Sequence, residues 1–410
     1  MKTVDPELMR AINRFHVMDA IRRVGPIARV EICARTQLSA TTVSAITATL
    51  LDDGLIVPRH LGGMRDLCRD NGRGRPRVML ELNPQAAFVV GVKLAPGQIT
   101  IAATDFRADT LASLTMPIRI SRQPSSVIAD LVEDGVRRCV ADAGLAIEAV
   151  AGLCVGLPGR VERNTGICRS SSIFGEADVP FAAALLERLG VPTVIETDVN
   201  LVTMAENWFG EARGLDDFLV VSVEHTLGLG IMHGGELLRG AYGLGSDLDG
   251  LLVSLPATAG AAQTRLGSVA SEAAILGHAQ AVLEGTEHAA AFRSGRGMAA
   301  VVARAQAGDA RILAILRAAG EALGFAVANL ILLFAPSKIV LAGEAMNAGP
   351  ALLDPLRASV ATLAQPGTAH VTDITVHPWS NNSWARGAAA LTLRELYGAP
   401  WNTTGPAEPR

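Results

Sequence analysis

From Phe88 to Val155 the apolar residues fall into short runs broken by turn residues, and this pattern constrains the fold more than any other stretch. Phe88–Leu94, Gln98–Thr104 and Leu111–Pro117 read as strands, Val127–Ala143 as a helix and Val150–Val155 as a further strand. A meander followed by alternating helix and strand implies an α/β layer architecture. With 410 residues, 49% of them hydrophobic, the chain can bury two or three cores. No uninterrupted apolar run of about 18 residues occurs, and the N-terminal MKTVDPELMR lacks the apolar centre of an export signal, so a cytoplasmic protein is expected. The cysteines, Cys33, Cys68, Cys139, Cys154 and Cys168, are odd in number and form no CxxC pair, which argues for reduced, mostly buried thiols.

Charge divides the chain. Residues 1–80 carry 13 Lys and Arg against 8 Asp and Glu, whereas the remainder carries 23 against 32. A basic head on an acidic body suggests a nucleic-acid-binding module joined to something else. Within the head, Asn13–Val24 sets Phe15, Met18, Ile21 and Arg22 at helical spacing, and Gly25-Pro26 ends that helix. Arg29–Arg35 forms a short second helix, Thr36-Gln37-Leu38 a tight turn, and Ser39 caps a third helix that stops at Gly54. The order is that of a helix-turn-helix. Val43, Ile46 and Leu50 are expected to face the core, which turns Ala40, Thr41, Thr42, Ser44 and Ala45 toward a major groove. Ser39, Thr41, Thr42 and Ser44 are therefore candidate DNA contacts. Their short side chains suit phosphates and thymine methyls, not the bidentate guanine contact worth roughly 1–3 kcal/mol.

Beyond the third helix, Leu55-Ile56-Val57 and the segment GRGRPRVMLEL read as two strands around a polar loop, forming a wing. Arg73, Arg75 and Arg77 alternate there, with Pro76 fixing the backbone, a geometry suited to phosphates or a narrow minor groove. Arg75, at their centre, is the principal candidate for DNA.

This head, from NRFHVMDAIRRVGPIARVEICARTQLSATTVSAITATLLDDGLI to GRGRP, resembles the winged helix-turn-helix of repressors in the ROK family (repressor, open reading frame, kinase). Past Pro84 the segments GLCVGLPGRV, SSIFGEADVPF, VIETDVNLVTMAENWFG, VEHTLGLGIMHGGELLRGAYGLG and KIVLAGE follow in that family's order, so the resemblance covers nearly the whole chain. It implies an α/β fold with an N-terminal winged helix-turn-helix over residues 1–82 and a two-lobed body of sugar-kinase and actin-like type. The expected lobes are residues 83–196, with a final helix at about 384–398 crossing back to it, and residues 197–383, with ligand held between them.

The same resemblance places two phosphate loops, and both depart from the family. Kinases of this type carry a DxGGT-type loop after the first strand, whereas the matching positions here are Lys93, Ala95, Pro96 and Gly97; the proline also removes a backbone N–H donor. The second loop in the family begins Gly-Thr-Gly, and here Glu224-His225-Thr226 precede Leu227-Gly228-Leu229-Gly230. A carboxylate about 4 Å from a phosphate charge costs roughly 4 kcal/mol at an effective dielectric of 20. Lys93 alone favours phosphate, as a point charge. Kinase activity is not expected. Neither is the family's zinc, because Gly245-Ser246-Asp247-Leu248-Asp249 stand where it has GExGH, and Ala261, Gln263 and Ser268 where it has thiolates. His225 and His233 read as structural or solvent-facing. No cofactor is anticipated.

In the kinases that resemble this body, the aspartate at the position of Asp198 accepts the sugar hydroxyl proton. A base within reach of a hydroxyl is also a strong charge-assisted acceptor, so without ATP the residue becomes a clamp. Thr197 or Asp198 could also be the N-cap of the helix VNLVTMAENWF, a role compatible with ligand contact. Ser172 sits where the family has a sugar-contacting asparagine and Glu176 where it has a tryptophan. Ser246 replaces a hydroxyl-binding glutamate, with Asp247 and Asp249 nearby as substitutes, and Asn200 completes the ligand set. The expected protein is a ligand-responsive repressor that binds an operator as a homodimer or a tetramer of dimers, its effector a carbohydrate, polyol or other small polar metabolite. The competing classes are a carbohydrate kinase with a DNA-binding appendage and a DNA-binding scaffold with an empty pocket.

Overall fold

The computed structural model describes residues 6–59, 78–240, 246–253, 263–284, 297–363, 372–377 and 381–398, with backbone alone at 246–247 and 381–383. Arg73, Arg75 and Arg77 lie outside the described residues, as does Cys68.

The N-terminal unit consists of helix α1 (Pro6–Val24), strand β1 (Ile27–Ala28), helices α2 (Arg29–Thr36) and α3 (Ala40–Asp52), and strands β2 (Ile56–Arg59) and β3 (Met79–Leu82). The strands pair antiparallel in the order β1-β3-β2. Gln37 adopts the left-handed conformation (φ 57°) that lets α2 turn into α3. Ser39 caps α3 through its hydroxyl, which accepts from the Thr42 N–H at 3.1 Å and lies 2.8 Å from the Thr42 hydroxyl. α1 begins seven residues before the expected start. The buried stripe of α3 is Val43, Thr47 and Leu50, while Ile46 is only half-buried. Thr47 displaces Ile46 because its hydroxyl has partners inside, accepting from Arg29 Nε at 2.8 Å and donating to the Ser44 carbonyl at 3.2 Å.

The first lobe is a five-stranded sheet in the order β10-β7-β4-β5-β6. Its strands are β4 (Phe88–Ala95), β5 (Gln98–Thr104), β6 (Thr110–Met116), β7 (Val150–Leu157) and β10 (Thr193–Thr197); β4, β7 and β10 run parallel, and β4, β5 and β6 form the expected antiparallel meander. Helices α4 (Ser125–Asp142) and α5 (Phe181–Leu189) cover one face, and the hairpin β8 (Arg160–Glu162)–β9 (Ile167–Ser170) follows β7. α6 (Asp198–Phe209) then leads into the second lobe. There β11 (Phe218–Val223), β12 (Leu227–His233), β13 (Glu236–Leu237), β14 (Ser246–Asp247), β17 (Lys338–Ala342) and β18 (Asp373–Val376) make a six-stranded sheet. Around it lie the β15 (Leu252–Val253)–β16 (Thr264–Arg265) pair and helices α7 (Gly267–Ala270), α8 (Glu272–Leu283), α9 (Gly297–Gln306), α10 (Ala310–Phe334) and α11 (Pro350–Leu363). By length and composition α10 could cross a membrane, but 61% of its most apolar window is buried inside the protein. It is the central helix of the second lobe's core, where Ile312, Leu316, Leu323 and Val327 pack.

The last helix, α12 (Asn381–Leu396), returns to the first lobe and lies on β4, β5 and β7. Glycines make that contact possible. A Cβ on Gly91 would sit 1.9 Å from the Ala385 carbonyl oxygen, and one on Gly387 would sit 2.2 Å from that of Leu201 in α6. α6 is buried from Val199 to Trp208 on every side, as a helix enclosed between layers must be. Its opposite flank rests on β12, where only Gly228 and Gly230 leave room for Val199 and Thr203. The N-terminal unit joins this central core, since Phe15, Met18 and Ile21 belong to the same apolar cluster as Trp208, Trp384 and Tyr397.

Candidate functional site

The parallel strands of the first lobe carry their functional residues at their C-terminal ends, where α/β sheets hold ligands. β10 runs out at Thr197 and α6 starts at Asp198, with Thr197 as its N-cap; the Asp198 carboxylate accepts from the Val199 N–H at 2.8 Å. From β4 comes Lys93, its side chain only 4% exposed. The Lys93 ammonium donates to both oxygens of Glu224, at 2.9 and 3.2 Å, and lies 3.4 Å from the ring centroid of Trp384 in α12. Glu224 sits in the turn between β11 and β12, so this ion pair spans the two lobes. The Glu272 N–H, at the start of α8, donates to the Glu224 carbonyl at 2.9 Å.

Carboxylates outnumber cations here. Burial, and then the Glu224 charge, raise Asp198 to about 6 against the pull of Lys93. Burial, then Glu344 and Glu224, raise Glu272 to about 7. Both groups therefore change charge near neutrality. A phosphate brought into the cleft would meet these carboxylates and a lysine that already has a partner, whereas a hydroxyl would find good acceptors. Because folding favours the protonated form of Glu272, its contribution to stability declines as pH rises from the ordinary carboxyl value of 4.5 through about 7. Glu272→Gln should remove that slope, leaving the variant relatively more stable at high pH by on the order of 1 kcal/mol after discounting for partial exposure. Urea unfolding of both proteins across that range reads the difference; parallel pH profiles would contradict the assignment.

The other expected ligand residues divide. Ser172 Oγ is buried and makes no hydrogen bond among the described residues. Asn200 does not join Asp198: it is buried, and its amide donates to Glu196 at 2.9 Å. Glu196 is fully buried, 2.7 Å from Arg239 Nε and 3.7 Å from Arg163 Nε, and Arg163 also pairs with Glu395 of α12. Burial pushes the Glu196 carboxyl up, but Arg239 and Arg163 with the Asn200 amide hold it below its ordinary value. Asp249 is likewise held inside, accepting from the Leu227 N–H at 3.1 Å and lying against Gly267, where a Cβ would clash. Ser246 and Asp247 pair through β14 with Leu229 and Gly228; their side chains lie outside the described residues. Glu176 accepts from the N–H and hydroxyl of Ser125 and so caps α4. In the N-terminal unit Thr41 and Ser44 are exposed on α3, whereas the hydroxyls of Ser39 and Thr42 are engaged with each other at the cap. The sequence offered no signal for Glu272, and it marked Glu344 only as the end of KIVLAGE and Trp384 only as the start of the final helix; all three come to the cleft from distant segments.

The profile of the ROK family matches residues 89–395. The chain belongs to the ROK family. Its relatives include a putative xylose repressor from a Caldicellulosiruptor species, 24% identical over 96% of this chain and 98% of the relative. The DNA-binding transcriptional repressor Mlc of Escherichia coli is 22% identical over 93% of each chain. Among solved structures, a ROK family transcriptional regulator described as a homologue of E. coli Mlc superposes with a TM-score of 0.77 at 23% identity, covering 95% of this chain and 97% of the other. A ROK glucokinase from Streptomyces griseus, solved with glucose and AMPPNP, superposes with a TM-score of 0.60 at 23% identity over 74% of this chain and 99% of the enzyme. The fold is thus α/β with the sugar-kinase-like body of this family, and kinases share that body.

Proposed function

We propose that this ROK protein is a DNA-binding transcriptional repressor whose operator affinity is set by a small ligand, a sugar or sugar derivative, held between the lobes. The observation that carries this reading is the Lys93–Glu224 pair on Trp384: at the positions of the family's phosphate loops the cleft is closed by its own ion pair. Support for the rest comes from the relatives, whose names describe repressors and which match the chain nearly end to end. The N-terminal unit is assigned as a winged helix-turn-helix over residues 1–82, with lobes at 83–196 plus the final helix and at 197–383. Thr41 and Ser44 at the exposed start of α3, capped by Ser39 and Thr42, and the wing arginines Arg73, Arg75 and Arg77 are its DNA contacts. Asp198 is the effector contact, with Ser172 beside the cleft as an uncommitted hydroxyl and the β14 residues Ser246 and Asp247 as further candidates. Asn200 and Asp249 support the walls. A repressor of this kind works in the cytoplasm on a palindromic operator, as a homodimer or a tetramer of dimers.

Gel shifts against DNA upstream of the protein's own gene, repeated with xylose, glucose, N-acetylglucosamine and their phosphates, test this. One sugar should lower operator affinity at least tenfold in the parent protein and leave Asp198→Asn unaffected, while Arg75→Ala weakens binding without any sugar. ATP-dependent phosphorylation of one of these sugars, lost in Asp198→Asn, would instead make the protein a kinase.

A further inference from the structure

The helix that starts at the cleft ends under the N-terminal unit. α6 has Asp198 as its first residue and Trp208 one residue before its end, a span of about 15 Å at 1.5 Å per residue. Trp208 stacks on Tyr397 (centroids 5.6 Å apart, planes 11° apart), and the Arg22 guanidinium of α1 lies 4.2 Å from the Trp208 ring centroid. At that distance the guanidinium is in cation–π contact with the ring, so a shift of the ring is felt directly by the arginine. Arg22 is itself fixed on α1 by Asp19 at 2.8 Å, and Arg23 reaches Asp216 of the body at 3.2 Å. The Arg213 guanidinium donates to the Arg23 carbonyl at 3.2 Å.

Two further features suit α6 to motion as a unit. It touches both lobes, resting on Gly228 and Gly230 of β12 on one side and on Gly387 of α12 on the other, so a change of interlobe angle must shift it against at least one of them. A buried side chain fixes its far end: Glu206 pairs with His377 at 2.5 Å and accepts the Glu211 N–H at 2.8 Å. Beside the Arg22–Trp208 contact lies a cavity of about 400 Å³ lined by Phe15, Asp19, Arg23, Trp208, Glu236 and Tyr397 among others. The N-terminal unit therefore has room to reorient where α6 meets it.

We infer that α6 is the rod that carries the state of the cleft to the N-terminal unit, with Trp208, in contact with both Arg22 and Tyr397, as its transmitting contact. Trp208 acts as a positioning residue, touching neither ligand nor DNA. The inference rests on the reading of Asp198 as the effector contact. Its test requires no effector, so the coupling can fail while that reading stands.

Hydrogen–deuterium exchange is measured on the full-length protein, following peptides from α1 and, as a control for global stability, from α4. Asp198→Asn and Lys93→Met should each change exchange in α1 at least threefold while leaving α4 unchanged. In an Arg22→Gln background, which removes the stacked guanidinium but keeps the Trp208–Tyr397 core, neither cleft substitution should affect α1. Trp208→Phe should behave as Arg22→Gln does. Unchanged α1 exchange in both cleft variants, equal changes in α1 and α4, or a cleft effect that survives Arg22→Gln would each overturn the proposal.

Discussion

Glu196→Gln should destabilise the protein by about 3–5 kcal/mol, because it removes the carboxylate that two enclosed guanidinium groups share. Glu196 has no exposed surface and sits 2.7 Å from Arg239, with Arg163 at 3.7 Å. Gln preserves shape and retains an acceptor oxygen, so the loss reports the uncompensated charge and not a cavity. Arg163 keeps a second partner in Glu395; the exposed liability is Arg239. The double variant Glu196→Gln/Arg239→Met should accordingly recover much of the loss, since removing both members of a buried pair is far less harmful than removing one. Urea midpoints of the parent, both single variants and the double variant form the cycle. A loss below about 1 kcal/mol in Glu196→Gln would mean that water reaches the site and that the network is not sealed.

Gly91→Ala ranks next. The added methyl would point at the backbone of α12, 1.9 Å from the Ala385 oxygen and 2.8 Å from the Ala389 nitrogen. Neither atom belongs to a flexible side chain, so helix and strand must separate, at a cost of about 1–3 kcal/mol or more. The damage should be directional. Displacement of α12 pulls Trp384 off Lys93, and with it the cation–π contact at 3.4 Å. Near-ultraviolet circular dichroism should register the change in tryptophan environment at temperatures where far-ultraviolet signal is still native. A parent-like melting curve and tryptophan spectrum together would show that α12 does not seat on β4 as described.

How much of this was legible in the sequence depends on range. The second and third helices of the N-terminal unit, the end of the first and the meander from Phe88 lie within a few residues of their expected bounds, because each is written in local periodicity and turn residues, whereas the final helix was expected from the family resemblance. Individual side chains were harder. Asn200 follows Asp198 by two residues, yet residues two apart on a helix point in nearly opposite directions, and the four-residue step back to Glu196 gives the asparagine its partner. On α3 both Ile46 and Thr47 satisfy helical spacing after Val43; Thr47 won through Arg29, eighteen residues away. The cleft itself could not be assembled from spacing. Lys93 and Glu224 are 131 residues apart, and only closure of the lobes brings them together. The departures at these two positions were visible, but not that they compensate each other.

The return of α12 to the first lobe also has a bearing on how the protein is made. The Tyr397 hydroxyl donates to the Phe106 carbonyl across 291 residues of chain, at 2.7 Å, and the sheet formed by β4, β5 and β7 lacks its cover until that helix arrives. A ribosome must therefore make the chain as far as α12 before the earliest strands of the body can be shielded, during which interval their apolar face is open to chaperones or to aggregation. The N-terminal unit shares its core with the same late helix through Phe15, Trp208 and Tyr397, so the seat of the N-terminal unit on the body is completed only after Tyr397 has been made.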